Sequence, residues 1–292
     1  MKKIICLLMS LSLVAFASCS DDDKDSPSST DNTQTENGGS GDNSGNNGDN
    51  SGNTIGDSDG SGSQSVVTFG TENGHDWVDL GLSVKWATAN VGASKPQDYG
   101  NYYAWGETTT KETYNWSTYK YGTYNYDHDY SKLTKYNKSD NRTTLFYFSD
   151  DAAYVNWGGK WRMPTLRQQG ELRNECYWVW TESYNNSNVK GYIVYKAKTS
   201  SDKGKKIYSS GTPSASYSLS DAHIFLPAAG YRSGGDLNDA GSVGNYWSSS
   251  REYYYPDDAW SVCFYSDYVK DSNDTPWARK YGFTVRAVIP GE

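Results

Sequence analysis

Read from its N-terminus, the chain changes its pattern of apolar and polar positions twice. Behind Lys2 and Lys3, residues 4–16 form an apolar run of 13 residues, closed by the small residues Ala17 and Ser18. That order predicts a secretory signal over 1–18, too short to span a bilayer comfortably. Residues 20–65 lose all apolar periodicity, and Ile55 is their only aliphatic side chain. Such a segment cannot bury enough apolar surface to offset its ordering entropy, so it is read as a disordered tether. As a flexible coil it would span roughly 35–40 Å root-mean-square. From residue 66 apolar positions return in short bursts between turn residues. The runs 77–80, 84–87, 101–105, 177–181, 192–198, 223–226, 246–249, 260–265 and 283–289 read as strands. Two helices are expected. One starts at Ser149 as N-cap, with Asp150 and Asp151 in its first turn; the other starts at Thr165, with Gln168 completing a capping box. Gly170 weakens the second helix. Many strands, two short helices and long polar loops predict an α+β fold, not a βαβ sheet. No second linker follows, so 66–292 is one domain.

The residues around Cys19 add chemistry to the signal. Ala17-Ser18-Cys19 resembles the bacterial lipobox, which implies that Cys19 is acylated and becomes the first residue of the mature protein. Phe16 departs from the aliphatic residue usual three positions before the Cys. With two or three chains, such an anchor holds stably. The acidic start of 20–65, Ser20-Asp21-Asp22-Asp23-Lys24, resembles the surface-export signal of Bacteroidota lipoproteins. That resemblance implies a cell outer membrane protein, lipid-anchored and facing the exterior. A solvated linker on a periplasmic lipoprotein gives the same acids, so the leaflet stays open.

Charge divides in the same way. The whole chain carries −8; the signal contributes +2 and the tether −9, which leaves about −1 for 66–292. The domain therefore has no electrostatic case for nucleic acid or an anionic membrane. All 11 Trp and all 26 Tyr lie within it, so aromatic surface is its main chemical resource.

Several motifs then follow in a recognisable order. They are Trp77-Val-Asp-Leu-Gly-Leu-Ser-Val-Lys-Trp86, Tyr99-Gly-Asn-Tyr-Tyr-Ala-Trp-Gly-Glu107, Ser149-Asp-Asp-Ala-Ala-Tyr and Trp157-Gly-Gly-Lys-Trp-Arg-Met-Pro-Thr165. Phe225-Leu-Pro-Ala-Ala-Gly-Tyr-Arg232, Gly244-Asn-Tyr-Trp-Ser-Ser-Ser250 and Tyr281-Gly-Phe-Thr-Val-Arg286 complete them. This set resembles the Fibrobacter succinogenes major paralogous domain family over about 77–290. The resemblance implies a C-type lectin-like fold in the broad sense, including the branch shared with formylglycine-generating enzymes.

Within it, 246–288 resembles the variable region of a target protein of a diversity-generating retroelement. There a lectin-like scaffold is kept while selected codons are randomised, and Asn codons drift mainly to Tyr, Asp, Ser and Cys. A Tyr-rich sheet surface with no retroelement nearby gives a similar sequence, and either origin implies a binding face. By period-two logic Val262 and Phe264 face the core, while Ser261, Cys263 and Tyr265 face outward. The expected ligand-binding residues are Tyr253, Tyr254, Tyr255, Asp257, Asp258, Trp260, Ser261, Cys263, Tyr265, Asp267, Tyr268, Asn273, Asp274 and Trp277. Tyr and Trp supply rigid amphipathic area at low entropy cost, and Ser, Asn and Asp supply adaptable hydrogen bonds. Trp260 and Trp277 are the members whose rings could equally belong to the core.

Other chemistry is sparse. Cys176 and Cys263 are the only mature thiols besides Cys19. Export permits a disulfide, but two cysteines make no framework, so pairing stays open. His75, His128 and His223 are far apart and lack zinc spacing. His223 beside Ile224 reads as a strand residue, not a ligand. Glu107 and Asp79 cannot be assigned as an acid–base pair from spacing. Gly158-Gly159 and Gly234-Gly235 read as turns, not phosphate loops. The Glu-Pro-Asn and Trp-Asn-Asp runs of calcium lectins are absent, and no cofactor or metal is expected. Three function classes remain. A surface binding module or adhesin, expected as a monomer, would engage a protein or glycan. A structural surface-layer or pilus-tip component would use the same face for a partner. An enzyme related to formylglycine-generating proteins would need a reactive C-terminal cysteine pair, and only Cys263 stands there.

Overall fold

A computed structural model describes residues 68–122, 132–137, 147–270 and 276–291. By its contacts the chain divides between Ser61 and Gly62, and every described residue lies in the C-terminal unit. The signal, Cys19, the tether, Asn273 and Asp274 lie outside the described residues. Among the described residues the architecture is α+β, with short, mostly antiparallel strands and two short α-helices.

Near the chain ends, β1 (Phe69–Glu72), β2 (His75–Val78), β3 (Val84–Ala87) and β14 (Val288–Pro290) form one sheet in that order. The next α-helices among the described residues are α1 (Ala152–Trp157) and α2 (Leu166–Glu175). Asp151 caps α1, two residues later than the sequence suggests. Its buried carboxylate accepts from the N–H groups of Ala153, Tyr154 and Met163, a set Ser149 could not match. Residues 148–150 make a 3₁₀ turn instead. Thr165 and Gln168 form the expected capping box on α2, which passes through Gly170 to Glu175.

A second sheet has the order β6 (Lys206–Ile207), β4 (Cys176–Thr181), β5 (Gly191–Lys196), β7 (His223–Pro227). Its central strands are apolar on both sides. Trp178, Trp180, Tyr192 and Val194 enter one core cluster, while Tyr177, Val179, Ile193 and Tyr195 enter another. His223 is held as a strand residue: its Nδ1 meets Asp221 O at 2.7 Å and its Nε2 meets the Tyr184 hydroxyl at 3.0 Å.

The C-terminal third carries the hairpin β8 (Tyr231–Ser233)–β9 (Asp236–Asn238). It then supplies a third sheet of β10 (Val243–Arg251), β11 (Asp258–Tyr265) and β12 (Tyr268–Val269), with β13 (Pro276–Ala278) also pairing β11. The β10–β11 pair lies between two cores. Tyr246, Val262 and Phe264 enter the cluster of Trp86, Trp178 and Leu226, whereas Trp247 and Ala259 enter the cluster of Trp105, Trp161 and Phe283. Gly244 pairs with Phe264 and has the ring beside its α-carbon, where a Cβ would strike ring atoms.

Two expected strands are not regular. Residues 101–105 contribute only the bridge Tyr103–Phe283, and of 283–289 only the end belongs to β14. The backbone from 283 to 287 divides its bonds among Tyr103, Trp247, Val91 and Ala87, so no single ladder continues. Arg286, fully buried, secures this segment through Asn90 Oδ1 (2.9 Å) and Phe225 O (2.8 Å). Among the described residues, no helix is long and apolar enough to cross a membrane.

Candidate ligand-binding face

Alternation fixes the two faces of β11, and the structure agrees with the register read from sequence. Val262 and Phe264 are 5% and 0% exposed. The other face departs from expectation. Ser261 and Cys263 are each 0% exposed, so neither is an outward contact residue. The physical reason is that this face is also covered. Trp277, opposite Ala259, packs with Tyr231 and Tyr281 against the cluster that holds Trp247 and Ala259. Asp257 is buried as well, in the connection between β10 and β11.

The remaining expected residues separate into two groups. Tyr253, Tyr254 and Tyr255 are exposed in the 252–257 connection, while Asp267 and Tyr268 are exposed at the β11–β12 turn. The length of β11 sets these groups about 23 Å apart at 3.3 Å per residue. They cannot share one small ligand. Asp258, Trp260, Tyr265 and Trp277 are half-buried between them.

The structure does assemble an extended face along the side of β11 that carries Ala259 and Tyr265. Tyr265 and Tyr268 are directly paired, so their side chains stand on the same side of the sheet. Trp277, opposite Ala259, lies on that side near the other end of the strand, and Tyr231 stands between, its ring centroid 5.7 Å from Trp277 and 5.9 Å from Tyr281. All four rings of Tyr231, Tyr265, Trp277 and Tyr281 are half-exposed. Asp239 and Tyr231 lie within electrostatic reach of Tyr265, and Lys280 Nζ sits 5.0 Å from the Tyr281 centroid. This is aromatic area rimmed by both signs of charge.

Beneath it are two polar groups. Cys263 shares a hydrogen bond with the Tyr265 hydroxyl; burial pushes the thiol above its ordinary pKa, partly offset by Lys270. Burial likewise raises the Tyr265 phenol, with Cys263 adding to the effect. Asn245 pairs with Cys263 across the strands and is 0% exposed. Neither Oδ1 nor Nδ2 of Asn245 has a hydrogen-bond partner among the described residues. A buried amide left unpaired costs about 1–3 kcal/mol, so this position is held at the expense of stability.

At the other end of β11 lies a carboxylate group. Glu252 and Asp257 flank Asp258, whose pKa is pushed up to about 7 by burial, then by these two neighbours, against the pull of Arg279. Among the described residues no group of His, Cys, Asp or Glu is arranged to hold a metal ion. Glu107 is engaged by Lys111 Nζ and Lys120 N, both at 2.8 Å, and has a structural role. Cys176 and Cys263 are both free thiols.

Of the residues gathered here, the sequence pattern singles out Tyr265, Tyr268 and Trp277 but not Tyr231, Tyr281 or Asn245. Both tyrosines stand inside motifs read for their fold value, Gly230-Tyr-Arg and Tyr281-Gly-Phe. The small residues Ala259 and Ser261 on β11 were the available signal that something large lies over them. No family profile, curated protein or solved structure matches this chain.

Proposed function

We propose that residues 66–292 form a ligand-binding module of C-type lectin-like class, carried to the cell exterior as an outer-membrane lipoprotein and acting as an adhesin or receptor-like binder. The observation that carries this reading is the half-exposed set Tyr231, Tyr265, Trp277 and Tyr281 over the unpaired Asn245 amide. Rigid rings provide contact area at low entropy cost, and a buried unpaired amide rewards a ligand group or a bridging water that reaches it. The short antiparallel strands, two short helices and long loops support the lectin-like assignment. Thiol chemistry of the formylglycine-generating kind has no place in this reading, because Cys263 is buried and its thiol is held protonated.

A glycan and protein array probed with the purified chain identifies the ligand. Its affinity should then fall more than tenfold for Tyr265→Ala or Tyr268→Ala, with thermal unfolding close to wild type. If those variants bind normally while Tyr253→Ala or Tyr254→Ala abolish binding, the face lies at the opposite end of β11. Anchoring is tested separately. Cys19→Ser should move the protein from the membrane pellet to the soluble fraction, and unchanged pelleting would refute lipid attachment.

A further inference from the structure

β8 has a second side. Tyr231 and Arg232 are successive strand residues and point to opposite faces, so Arg232 leaves the aromatic face behind. It lines a cleft of about 330 Å³ together with Asn101, Tyr102, Thr110, Glu112 and Tyr114, beside Gly100 and Lys111.

The cleft rests on a rigid tyrosine floor. Tyr102 OH donates to Ala229 O at 2.6 Å, and Tyr114 OH donates to Tyr102 O at 2.7 Å. Tyr114 bridges to Gly234, and Gly282 lets its ring approach; a Cβ on Gly282 would lie 2.6 Å from the Tyr114 ring and 3.0 Å from Arg232 Cβ. The tyrosine hydroxyls are therefore already used in fixing the floor.

The charges are unevenly satisfied. Lys111 Nζ is neutralised by Glu107 at 2.8 Å and also donates to Thr118 O at 3.1 Å. Arg232 has no such partner among the described residues. Its guanidinium lies 5.3 Å from the Tyr102 ring centroid, with no side-chain hydrogen bond or ion pair to any described residue. Glu112, exposed at the rim, likewise has no partner among the described residues. Asn101 donates through Nδ2 to the Tyr103 hydroxyl at 3.3 Å, which leaves Oδ1 as an acceptor.

We infer that this cleft binds a small carboxylated sugar, a uronic acid unit, independently of the aromatic face. A half-buried guanidinium with five N–H donors is matched by a carboxylate in bidentate geometry. Among the described residues this is one free cation beside an acid, which disfavours a doubly charged phosphate. The acceptors Glu112 and Asn101 Oδ1, with the Thr110 hydroxyl, suit the hydroxyl groups of a sugar ring. The volume stands at the lower end of small-molecule sites, which favours a single ring over a chain.

The test is titration of the full chain by calorimetry or ligand-observed NMR with glucuronate, glucose, glycine and inorganic phosphate. Glucuronate should bind, while glucose, with the same ring and no carboxylate, should bind at least tenfold more weakly. Raising NaCl should weaken glucuronate binding, as a single ion pair requires. Arg232→Gln should reduce its affinity at least tenfold, and Glu112→Gln two- to fivefold. Should Arg232→Gln fail to fold, the glucose comparison and the salt dependence still decide. Equal binding of glucose and glucuronate, tighter binding of glycine or phosphate, no binding of glucuronate, or unchanged affinity in a folded Arg232→Gln would each overturn the proposal.

Discussion

Phe264→Ala is the perturbation whose cost can be worked most directly from this structure. The ring is 0% exposed, with centroids 5.2 Å from Tyr192, 6.0 Å from Tyr246 and 6.5 Å from Trp178. Burying such a side chain contributes about 1.5–3 kcal/mol by transfer alone. The hole left behind closes poorly, because its walls are tied elsewhere. Tyr246 OH donates to Pro227 O at 2.6 Å, and Trp178 Nε1 donates to Leu172 O at 3.0 Å. With the cavity cost added, the loss should reach about 4–5 kcal/mol. For a domain of this size that lowers Tm by roughly 8–20 °C. Urea unfolding should show a lower midpoint at unchanged slope. A paired substitution makes the test sharper. Gly244→Ala alone should destabilise, since its methyl would meet the Phe264 ring. In the Phe264→Ala background the same methyl enters vacated space and gains about 0.5–1 kcal/mol from leaving glycine. The double variant should therefore be more stable than Phe264→Ala. A cost below about 1 kcal/mol for Phe264→Ala, or a double variant less stable than the single, would refute the packing argument.

Three further outcomes are expected. Asp258 holds its proton to about 7 when folded but loses it near its ordinary 3.8 when unfolded. Between those values the folded state binds more protons, so this group makes stability fall as pH rises from about 4 to 7. Asp258→Asn should flatten that part of the difference curve and stabilise the protein at pH 8; an unchanged slope would contradict the assignment. Cys176 and Cys263 should resist Ellman's reagent in the native protein and react only on unfolding, because both are buried and the Cys176 thiol is pushed up to about 12. Fast native labelling of either would count against their burial. Tyr253→Ala and Tyr254→Ala should each change stability by no more than about 0.5 kcal/mol, measured by urea titration, because both rings are exposed.

Local chemistry was legible in the sequence wherever one segment carried its own reason. β3 falls on the expected residues, and Thr165 with Gln168 caps α2 because both halves of the box lie within one turn. The alternation of Val262 and Phe264 was legible for the same reason. What covers the opposite face was not, since Tyr231, Trp277 and Phe283 arrive from three separate segments. A period-two pattern reports that a side chain points away from one core; it is silent on whether a second core lies there. The choice of Asp151 over Ser149 as cap depends on Met163 N, twelve residues on. The candidate face failed in part through the same blindness: tyrosines adjacent in sequence, such as 253–255, proved distant from Tyr265 once β11 was drawn out to its length.

The edge position of β1 has a mechanical consequence. Among the described residues this strand pairs only with β2, and its first residue, Phe69, faces Val78 at the open end of the hairpin. Tension entering through the N-terminal side of the domain meets the Asp79 N–Thr68 O bond first, then the Phe69–Val78 pair. Loaded this way a hairpin peels one pair at a time, and its bonds do not share the force as they would in shear. Peeling 68–71 releases about 14 Å of chain at 3.3–3.6 Å per residue. Beyond that point the turn is anchored by Trp161 Nε1 on Glu72 O at 2.8 Å and by Asn73 on Trp157 O. β1 would thus act as a short, reversible extension that yields before the aromatic core or either proposed binding surface bears strain.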